Sequence, residues 1–282
     1  MQVSFKNQVN AVGAISVGVV AAFFTYDLTR SKDAPPCSTN YKSVIEMSLT
    51  KRGGALLTPA ELEARVGVGE QGVQAKASVV SDKNQPSPTA ISVAVGGSVA
   101  TDTVASFYWM PNGSDKAVSA CLSYDFMLPA GFDYSRGGRL PGMFGGFFSG
   151  LSSPNPKSLG LRLVWNELGQ LGLEGVTAVV PDQAEEQTKL RYQAEFELPR
   201  GRWVHVEQEV TMNKPGHNNG VLRLWIDGQL KLEDTTLAWR SDDTVSVSGV
   251  WADIGYRSFG GSERPAKSLT SIKVSPPRMA WQ

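Results

Sequence analysis

The 282-residue chain has little charge and no excess of either sign: 27 Lys and Arg balance 27 Asp and Glu, and charged residues make up 19% of the total. No block of Lys or Arg is present, which argues against a nucleic-acid-binding protein. His and Cys occur only twice each, and the acidic residues do not cluster at the spacing of a calcium loop. We therefore expect no metal site and no cofactor.

The two cysteines, Cys37 and Cys121, are far apart in the sequence and lack metal-ligand spacing. In an oxidising compartment they could form a disulfide, and closing so long a loop would stabilise the fold by about 4 kcal/mol. Two unpaired buried thiols are the alternative.

The chain also lacks an apolar run as long as the roughly 20 residues of a typical membrane span. The apolar stretch from Ala11 to Phe24 is shorter, and it follows Lys6 as the hydrophobic region of a signal peptide would. We expect residues 1–30 to be a signal peptide or an uncleaved anchor, with 11–26 as a possible membrane tether. The protein would then be secreted, periplasmic or anchored facing outside. A buried segment of a cytosolic domain is the alternative.

Glycine and proline are abundant, at 29 and 16 residues, and they separate short apolar or alternating segments. One short helix is predicted after Thr58-Pro59-Ala60-Glu61, an N-cap followed by proline and glutamate. Eleven strands are predicted, at 73–80, 89–95, 104–110, 120–128, 159–165, 188–198, 203–212, 221–227, 244–250, 252–256 and 268–274. So many strands with so little helix predict an all-β protein, an antiparallel β-sandwich of the jelly-roll (concanavalin-like) type. We expect this domain at 71–282, a linker with the helix at 31–70, and the signal or anchor segment before it.

Alternation along the strands places polar groups on faces opposite the apolar ones. Arg223 and Trp225 lie opposite Leu222, Leu224 and Ile226. His205 is similarly opposite Val204 and Val206, and Arg162 is opposite Leu161 and Leu163. Indole and guanidinium groups on one sheet suit an acidic sugar chain, because sugar rings stack on indole and carboxylates bind Arg. Solvated outer-face residues are the alternative interpretation.

Four segments resemble, in order, the polysaccharide lyases of families 14 and 20, the alginate and glucuronan lyases with a jelly-roll fold. They are 122–146 (LSYDFMLPAGFDYSRGGRLPGMFGG), 160–165 (GLRLVW), 201–228 (GRWVHVEQEVTMNKPGHNNGVLRLWIDG) and 256–262 (YRSFGGS). Four segments in register are more specific than one glycine-rich loop. The resemblance implies the jelly-roll fold and a lyase that cleaves a uronate polymer by β-elimination.

The resemblance also implies site residues. The family lysine of the Gly-Gly-Lys-Leu-Pro-Gly motif is Arg139 here, preceded by Gly138, and the Ser-x-Arg pair is Gly160 and Arg162. The family's following Tyr-x-Tyr pair is missing, because residues 169–181 contain no tyrosine. Arginine can bind a carboxylate but is too basic to accept a proton, so another group must do so. We take Tyr256 and His205 as candidates, ahead of Tyr134 and Tyr192.

The predicted catalytic residues are thus Arg139, Arg162, Tyr256 and His205. The predicted substrate-binding residues are Arg223, Trp225, Gln208 and Gly138.

The sequence is compatible with two functions. The first is an exported polysaccharide lyase acting on an anionic, uronate-containing polysaccharide, and the alternative is a non-catalytic carbohydrate-binding protein on the same scaffold. Absorbance near 235 nm, from the unsaturated uronate that elimination creates, distinguishes them.

Overall fold

Two antiparallel sheets enclose the core in the computed structural model, which describes residues 34–66, 71–81, 86–96, 104–134, 137–146, 157–179, 188–257 and 268–282. The predicted signal or anchor segment at 1–30, with the tether at 11–26, lies outside these residues. No helix within the described ranges is long and apolar enough to cross a membrane.

The larger sheet has nine strands among the described residues. They are β1 (Ile45–Glu46), β2 (Ala77–Ser81), β3 (Thr89–Val95), β5 (Ser119–Met127), β10 (Trp203–Thr211), β11 (Gly220–Ile226), β12 (Gln229–Leu237), β14 (Thr270–Val274) and β15 (Arg278–Trp281). The main order is β12-β11-β10-β5-β14-β3-β2, and β15 pairs with both β1 and β5.

The smaller sheet has six strands among the described residues, in the order β4-β13-β6-β7-β8-β9. They are β4 (Val104–Trp109), β6 (Gly138–Gly146), β7 (Ser158–Trp165), β8 (Gln170–Val176), β9 (Lys189–Glu197) and β13 (Val247–Tyr256). Every recorded strand pairing in the two sheets is antiparallel. The predicted all-β antiparallel sandwich is therefore confirmed.

The core lies between the sheets, and the alternation of the sequence determines which side chains enter it. Leu222, Leu224 and Ile226 of β11 are buried there, as are Leu161 and Leu163 of β7. The residues that alternate with them along each strand therefore lie on the outer faces, the sides of each sheet turned away from the core. The predicted orientation of these strands is confirmed.

Some strands differ from the sequence prediction. The predicted strand at 73–80 begins instead with the short helix α2 (Val73–Lys76), which precedes β2. The two strands predicted at 244–250 and 252–256 form the single strand β13. Strand β6 was not predicted, because its sequence GRLPGMFGG contains four glycines and a proline, residues that are uncommon inside strands.

The region before the sandwich packs against it. Helix α1 (Pro59–Val66) begins at the predicted N-cap, where Thr58 N donates to Glu61 Oε2 at 2.9 Å and Glu61 N donates to Thr58 Oγ1 at 3.3 Å. Residues 34–66, which belong to the predicted linker, contribute five buried side chains to the common core. These are Met47, Leu49, Leu57, Leu62 and Val66. The segment is thus part of the compact unit Pro35–Gln282.

Of the two alternatives for the cysteines, the structure contains the disulfide. Cys37 and Cys121 are bonded, with their Cα atoms 5.8 Å apart. Cys121 belongs to β5, so the bond fixes the first described residues to the outer face of the nine-stranded sheet.

Candidate active site

A row of cross-strand neighbours runs across the outer face of the six-stranded sheet. The register pairs its members successively. From β4 to β9 they are Tyr108, Trp251, Gly142, Arg162, Glu174 and Arg191. Directly paired residues share a face of the sheet, and Arg162 lies between the core residues Leu161 and Leu163. The row therefore faces outward and brings aromatic and charged groups together.

Arg162 is buried at the centre of this row, and its charge is fully compensated. Its Nε donates to Glu174 Oε1 at 2.8 Å, and its Nη1 forms an ion pair with Asp253. The guanidinium also lies over the Trp251 ring, 4.5 Å from the centroid. Glu174 in turn binds Arg257 Nη2 at 2.6 Å. Buried charges require such pairing, because an uncompensated ion in the interior is costly.

Arg139 joins this group but is less fully paired. Its Nη1 is 3.6 Å from Asp253 Oδ2, beyond a good hydrogen bond, and its side chain is 21% exposed. Its Nε is buried without a hydrogen-bond partner among the described residues. Burial lowers the pKa of the Arg139 guanidinium, which still remains charged at any physiological pH. Arg139 is therefore a partly exposed cation of the cluster, and its ion pair with Asp253 is long enough to leave the guanidinium able to bind a ligand.

The cluster as a whole carries net positive charge. The three guanidinium groups of Arg139, Arg162 and Arg257 face the two carboxylates of Glu174 and Asp253. A cavity of about 250 Å³ opens beside them. It is lined in part by Arg139, Arg162, Glu174, Lys189, Arg191 and Arg257. A carboxylate entering this cavity would meet an excess of cations.

Tyr108 is the phenol that the described structure places on this face. Its ring stacks on Trp251, with centroids 6.5 Å apart, and meets Phe144 edge-on at 4.9 Å. Burial and the Asp253 carboxylate raise the pKa of Tyr108, while Arg162 lowers it. Tyr108 and Arg162 thus both contact Trp251.

The outward positions of β8 are Gly172, Glu174 and Val176, so the tyrosine pair expected from the family is absent from that strand.

The structure does not place the predicted catalytic phenol, Tyr256, on this face, nor the less favoured candidates Tyr134 and Tyr192. Tyr256 lies in the core, 1% exposed, and its hydroxyl donates to the Asp133 carbonyl at 2.9 Å. Tyr134 is also a core residue, bonded to the Leu198 carbonyl. Tyr192 donates to Asp234 Oδ2 at 2.7 Å, and burial together with Asp234 raises its pKa. Tyr256 continues the inward alternation of Ala252 and Ile254, which explains its position.

Two predicted substrate-binding residues are structural. Gln208 is fully buried between the sheets, where its Nε2 donates to the Pro141 carbonyl at 2.9 Å. This agrees with its position on the same side of β10 as Val206 and Val210. Gly138 packs against the Trp165 indole, with which any Cβ atom would overlap. Neither residue can contact a polysaccharide without rearrangement of the core.

The remaining predicted residues lie on the outer face of the other sheet. His205, Arg223 and Trp225 belong to β10 and β11 of the nine-stranded sheet. Arg223 binds Glu209 at 2.8 Å and Glu233 at 2.6 Å, and Trp225 is only 1% exposed. Alternation predicted their side of the strand correctly but could not indicate which sheet contains the strand. They are therefore separated from Arg139 and Arg162 by the core.

His205 belongs to a cluster of acidic groups. Its Nδ1 is 2.8 Å from Asp125 Oδ1 and its Nε2 is 3.2 Å from Glu207 Oε1. These hydrogen bonds, the one to Asp125 most strongly, raise the pKa of His205 to about 9. Ser38 donates to the same Glu207 from its backbone and side chain. The imidazolium thus helps to hold the first described segment on the sheet.

We expect the stability of the protein to decrease between pH 6.5 and about 9, since the raised pKa of folded His205 stabilises the fold while the ring is protonated. This contribution is complete below the ordinary pKa of 6.5 and is lost as the pH rises through 9. His205→Gln should flatten this dependence, measured as urea midpoints across the range. His217→Gln, in an exposed loop, is the matched control. Equal pH profiles for wild type and His205→Gln would contradict the assignment.

Sequence reasoning missed Asp253, Glu174, Arg257 and Tyr108. The signal for Asp253 was available, because Trp251 and Asp253 alternate with the apolar Val250, Ala252 and Ile254. Glu174 likewise alternates with Leu171 and Leu173. When an acidic residue and an arginine lie on the same face of two neighbouring strands, an ion pair between them is expected. Which strands are neighbours, however, depends on the topology.

The comparisons with known proteins agree with this geometry. The family model described as polysaccharide lyase 14 matches residues 89–271, more than half of the chain. The chain therefore belongs to the polysaccharide lyase 14 family, and it is a polysaccharide lyase. No curated protein sequence gives a significant match.

Similar solved structures support the jelly-roll fold. An alginate lyase from Chlorella virus is 18% identical, with a TM-score of 0.64 over 86% of this chain and 100% of that one. The marine PL-14 alginate lyase from Aplysia kurodai is 20% identical, with a TM-score of 0.60 over 76% of this chain and 89% of that one. An endo-β-1,4-glucuronan lyase from Trichoderma reesei is 11% identical, with a TM-score of 0.56 over 90% and 96%. Identities this low show the fold alone.

Proposed function

We propose that the protein cleaves a uronate-containing anionic polysaccharide by β-elimination at the Arg139 and Arg162 cluster. One observation carries this proposal: the partly exposed guanidinium of Arg139, whose ion pair with Asp253 is long, lines a net-positive cavity in the fold of a lyase family. A guanidinium with free donors is suited to a carboxylate, which it can bind through two hydrogen bonds. The carboxylate of a uronate residue would complete the pairing that the cluster lacks.

The elimination needs a cation that neutralises the C5 carboxylate, a base and an acid. The outer face has a residue for each of these three roles. Arg139 binds the C5 carboxylate in a cluster whose three guanidinium groups outnumber its two carboxylates, so that the C5 proton becomes more acidic. Asp253, 3.6 Å from Arg139, accepts that proton. Burial raises the pKa of Asp253, which makes its carboxylate a stronger base.

Tyr108 completes the reaction as the acid. As the C5 proton leaves, the C4–O4 bond breaks, the C4=C5 double bond forms, and O4 takes a proton from the phenol. Because its pKa is raised, Tyr108 keeps its proton until O4 departs. The proton on Asp253 then returns to the phenolate through solvent, and both groups recover their starting state.

Arg139→Ala should lower kcat/KM on polyuronates by about 10²-fold, because it removes a cation that stabilises charge developing in the transition state. Arg139→Lys keeps the charge and should retain activity within about tenfold of wild type. The assay is the initial rate of absorbance increase near 235 nm. Arg223→Ala is the matched control, since it removes a paired arginine from the opposite sheet. Equal losses in Arg139→Ala and Arg223→Ala would contradict the proposed site.

The alternative predicted from the sequence, a carbohydrate-binding protein without catalysis, would require that the departures of this site from the family pattern abolish cleavage. Arg162 is fully engaged by Glu174 and Asp253, and the outward face of β8 carries no tyrosine. Under this alternative, the wild-type chain would bind polyuronates and produce no absorbance near 235 nm, while Arg139→Ala would lose binding.

The disulfide supports export as part of the proposal. Disulfides persist in oxidising compartments and are rare in the reducing cytosol. Together with the signal or anchor segment predicted at 1–30, the Cys37–Cys121 bond supports a secreted, periplasmic or outward-facing anchored protein. Fractionation of cells that express the full chain tests this.

A further inference from the structure

A second cavity lies beside that of the arginine cluster, on the same outer face of the six-stranded sheet. Its volume is about 450 Å³, and it shares Arg191 and Arg257 with the first cavity. Along β8, residues 174–176 line the first cavity and residues 170–172 line the second. A polymer bound at the arginine cluster can therefore continue along β8 into the second cavity.

Arg191 is one of the two arginines that the cavities share, and it is exposed on β9, directly opposite Glu174 of β8. Both oxygens of Glu174 are bound by other arginines, Oε1 by Arg162 and Oε2 by Arg257. Within the described ranges, the Arg191 side chain forms no hydrogen bond or ion pair. The described lining of the second cavity also contains no Asp or Glu. An anion that enters this cavity can therefore bind Arg191.

Three amide side chains that line the second cavity form a hydrogen-bonded network with a fixed orientation. Asn166 Oδ1 accepts from the backbone N–H groups of Leu168 and Gln170, at 2.9 and 3.0 Å. Asn166 Nδ2 must then face Gln170, and it donates to Gln170 Oε1 at 2.9 Å. Gln193 Nε2 donates to the same oxygen at 2.9 Å. In the part of the chain that the structure describes, Gln170 Nε2 and Gln193 Oε1 are left without a partner.

These groups match the polar groups of a uronate residue. An amide donor beside an amide acceptor suits two neighbouring hydroxyl groups, because each hydroxyl can both donate and accept. Arg191 and Gln193 are outward residues two positions apart on β9, about 7 Å along the strand. This spacing is comparable to the span of a pyranose ring from its carboxylate to the C2 and C3 hydroxyl groups. Gly172, which pairs with Gln193, has no side chain and leaves room for the ring above the sheet.

We infer that the second cavity binds a second uronate residue of the polymer. Arg191 binds its carboxylate, and Gln170 and Gln193 bind its neighbouring hydroxyl groups. The inference rests on the proposed function, because it takes the arginine cluster as the site of the uronate that is cleaved. Arg191 is a substrate-binding residue that does not touch the reacting atoms, so it stabilises the bound substrate and the transition state equally.

Arg191→Ala should raise KM for polyglucuronate and polymannuronate about tenfold and change kcat by less than twofold, because it removes one charged hydrogen-bonding group that acts in binding alone. Initial rates near 235 nm give both constants. Arg52→Ala, the matched control, removes an exposed arginine that lines neither cavity and should leave KM within twofold of wild type. A KM of Arg191→Ala within twofold of wild type, or an equal rise in the control, would overturn the inference.

Gln193→Ala tests the hydroxyl contacts separately. We expect it to raise KM for unmodified polymannuronate about fivefold, as the loss of one neutral hydrogen bond would. For polymannuronate that is O-acetylated at C2 and C3, KM should change by less than twofold, because the hydroxyl groups in question are already blocked. Equal changes of KM for the two polymers would show that Gln193 does not bind these hydroxyl groups.

Calorimetry with the same polymers distinguishes failure of the inference from failure of the proposed function. If the wild type produces no absorbance near 235 nm, Kd replaces KM. Weaker binding by Arg191→Ala but not by Arg52→Ala then supports the second uronate site and contradicts the lyase mechanism. Cleavage that requires Arg139 but is unaffected by Arg191→Ala supports the mechanism and overturns the inference. Absence of both cleavage and binding with every polymer overturns the two together.

Discussion

Tyr108→Phe is expected to lower kcat by 10² to 10⁴-fold, the usual contribution of a general acid, and to leave KM almost unchanged. Only the hydroxyl is removed, so the ring keeps its contacts with Phe144 and Trp251. Without the phenol, O4 must leave as an alkoxide or take its proton from water. Initial rates near 235 nm on a uronate-containing polymer measure the effect, and thermal unfolding checks that the variant is folded.

Tyr256→Phe is the matched control for this experiment. It also removes one phenolic hydroxyl, but from the core, where the group donates to the Asp133 carbonyl. We expect a loss of about 1 kcal/mol in the free energy of unfolding, typical of one hydrogen bond, and no change in kcat. If Tyr256→Phe lowers kcat as much as Tyr108→Phe does, the assignment of Tyr108 as the acid is wrong.

Cys37→Ser/Cys121→Ser is expected to lower the free energy of unfolding by about 4 kcal/mol. The disulfide joins residues 84 positions apart, and a crosslink that closes so long a loop strongly restricts the unfolded chain. Urea denaturation of the wild type and the double variant gives the difference. Because the bond lies on the nine-stranded sheet, activity well below the transition should be unchanged.

Reduction of the wild-type protein provides the control for the serine substitutions. Reduced wild type and the double variant should unfold at the same urea concentration, since both lack the crosslink. If the free energy of unfolding of the double variant is less than about 1 kcal/mol below that of the wild type, the loop-closure argument does not apply here. A midpoint of the reduced protein equal to that of the oxidised protein would lead to the same conclusion.

The sequence predicts the side on which most residues lie, because a strand's side chains alternate strictly. Leu222 and Arg223, or Leu161 and Arg162, are found on the expected sides. It does not predict which sheet a strand joins, since pairing depends on contacts between distant segments. His205 and Arg223 therefore seemed compatible with the same surface as Arg162, although they belong to opposite sheets.

The candidate site was predicted in part. The resemblance to the lyases brought Arg139 and Arg162 together, and the structure places both beside Asp253. Tyr256 is a candidate from the sequence because it adjoins residues 259–261, which the resemblance places beside the substrate and which lie outside the described residues. Its inward position could have been predicted by extending the alternation of Ala252 and Ile254. Tyr108 could not have been predicted as a neighbour of Arg162, because the two strands that lie between β4 and β7 must first be placed in order.

The two outer faces of the sandwich can be altered independently. The disulfide and the His205 cluster lie on one face and the arginine cluster lies on the other, and the two sheets between them are themselves packed about 10 Å apart. Substitutions that far apart usually add without coupling. The nine-stranded face is therefore the place to attach the enzyme to a solid support or to introduce stabilising changes, because polymer can still reach the cavity beside the arginine cluster on the opposite side.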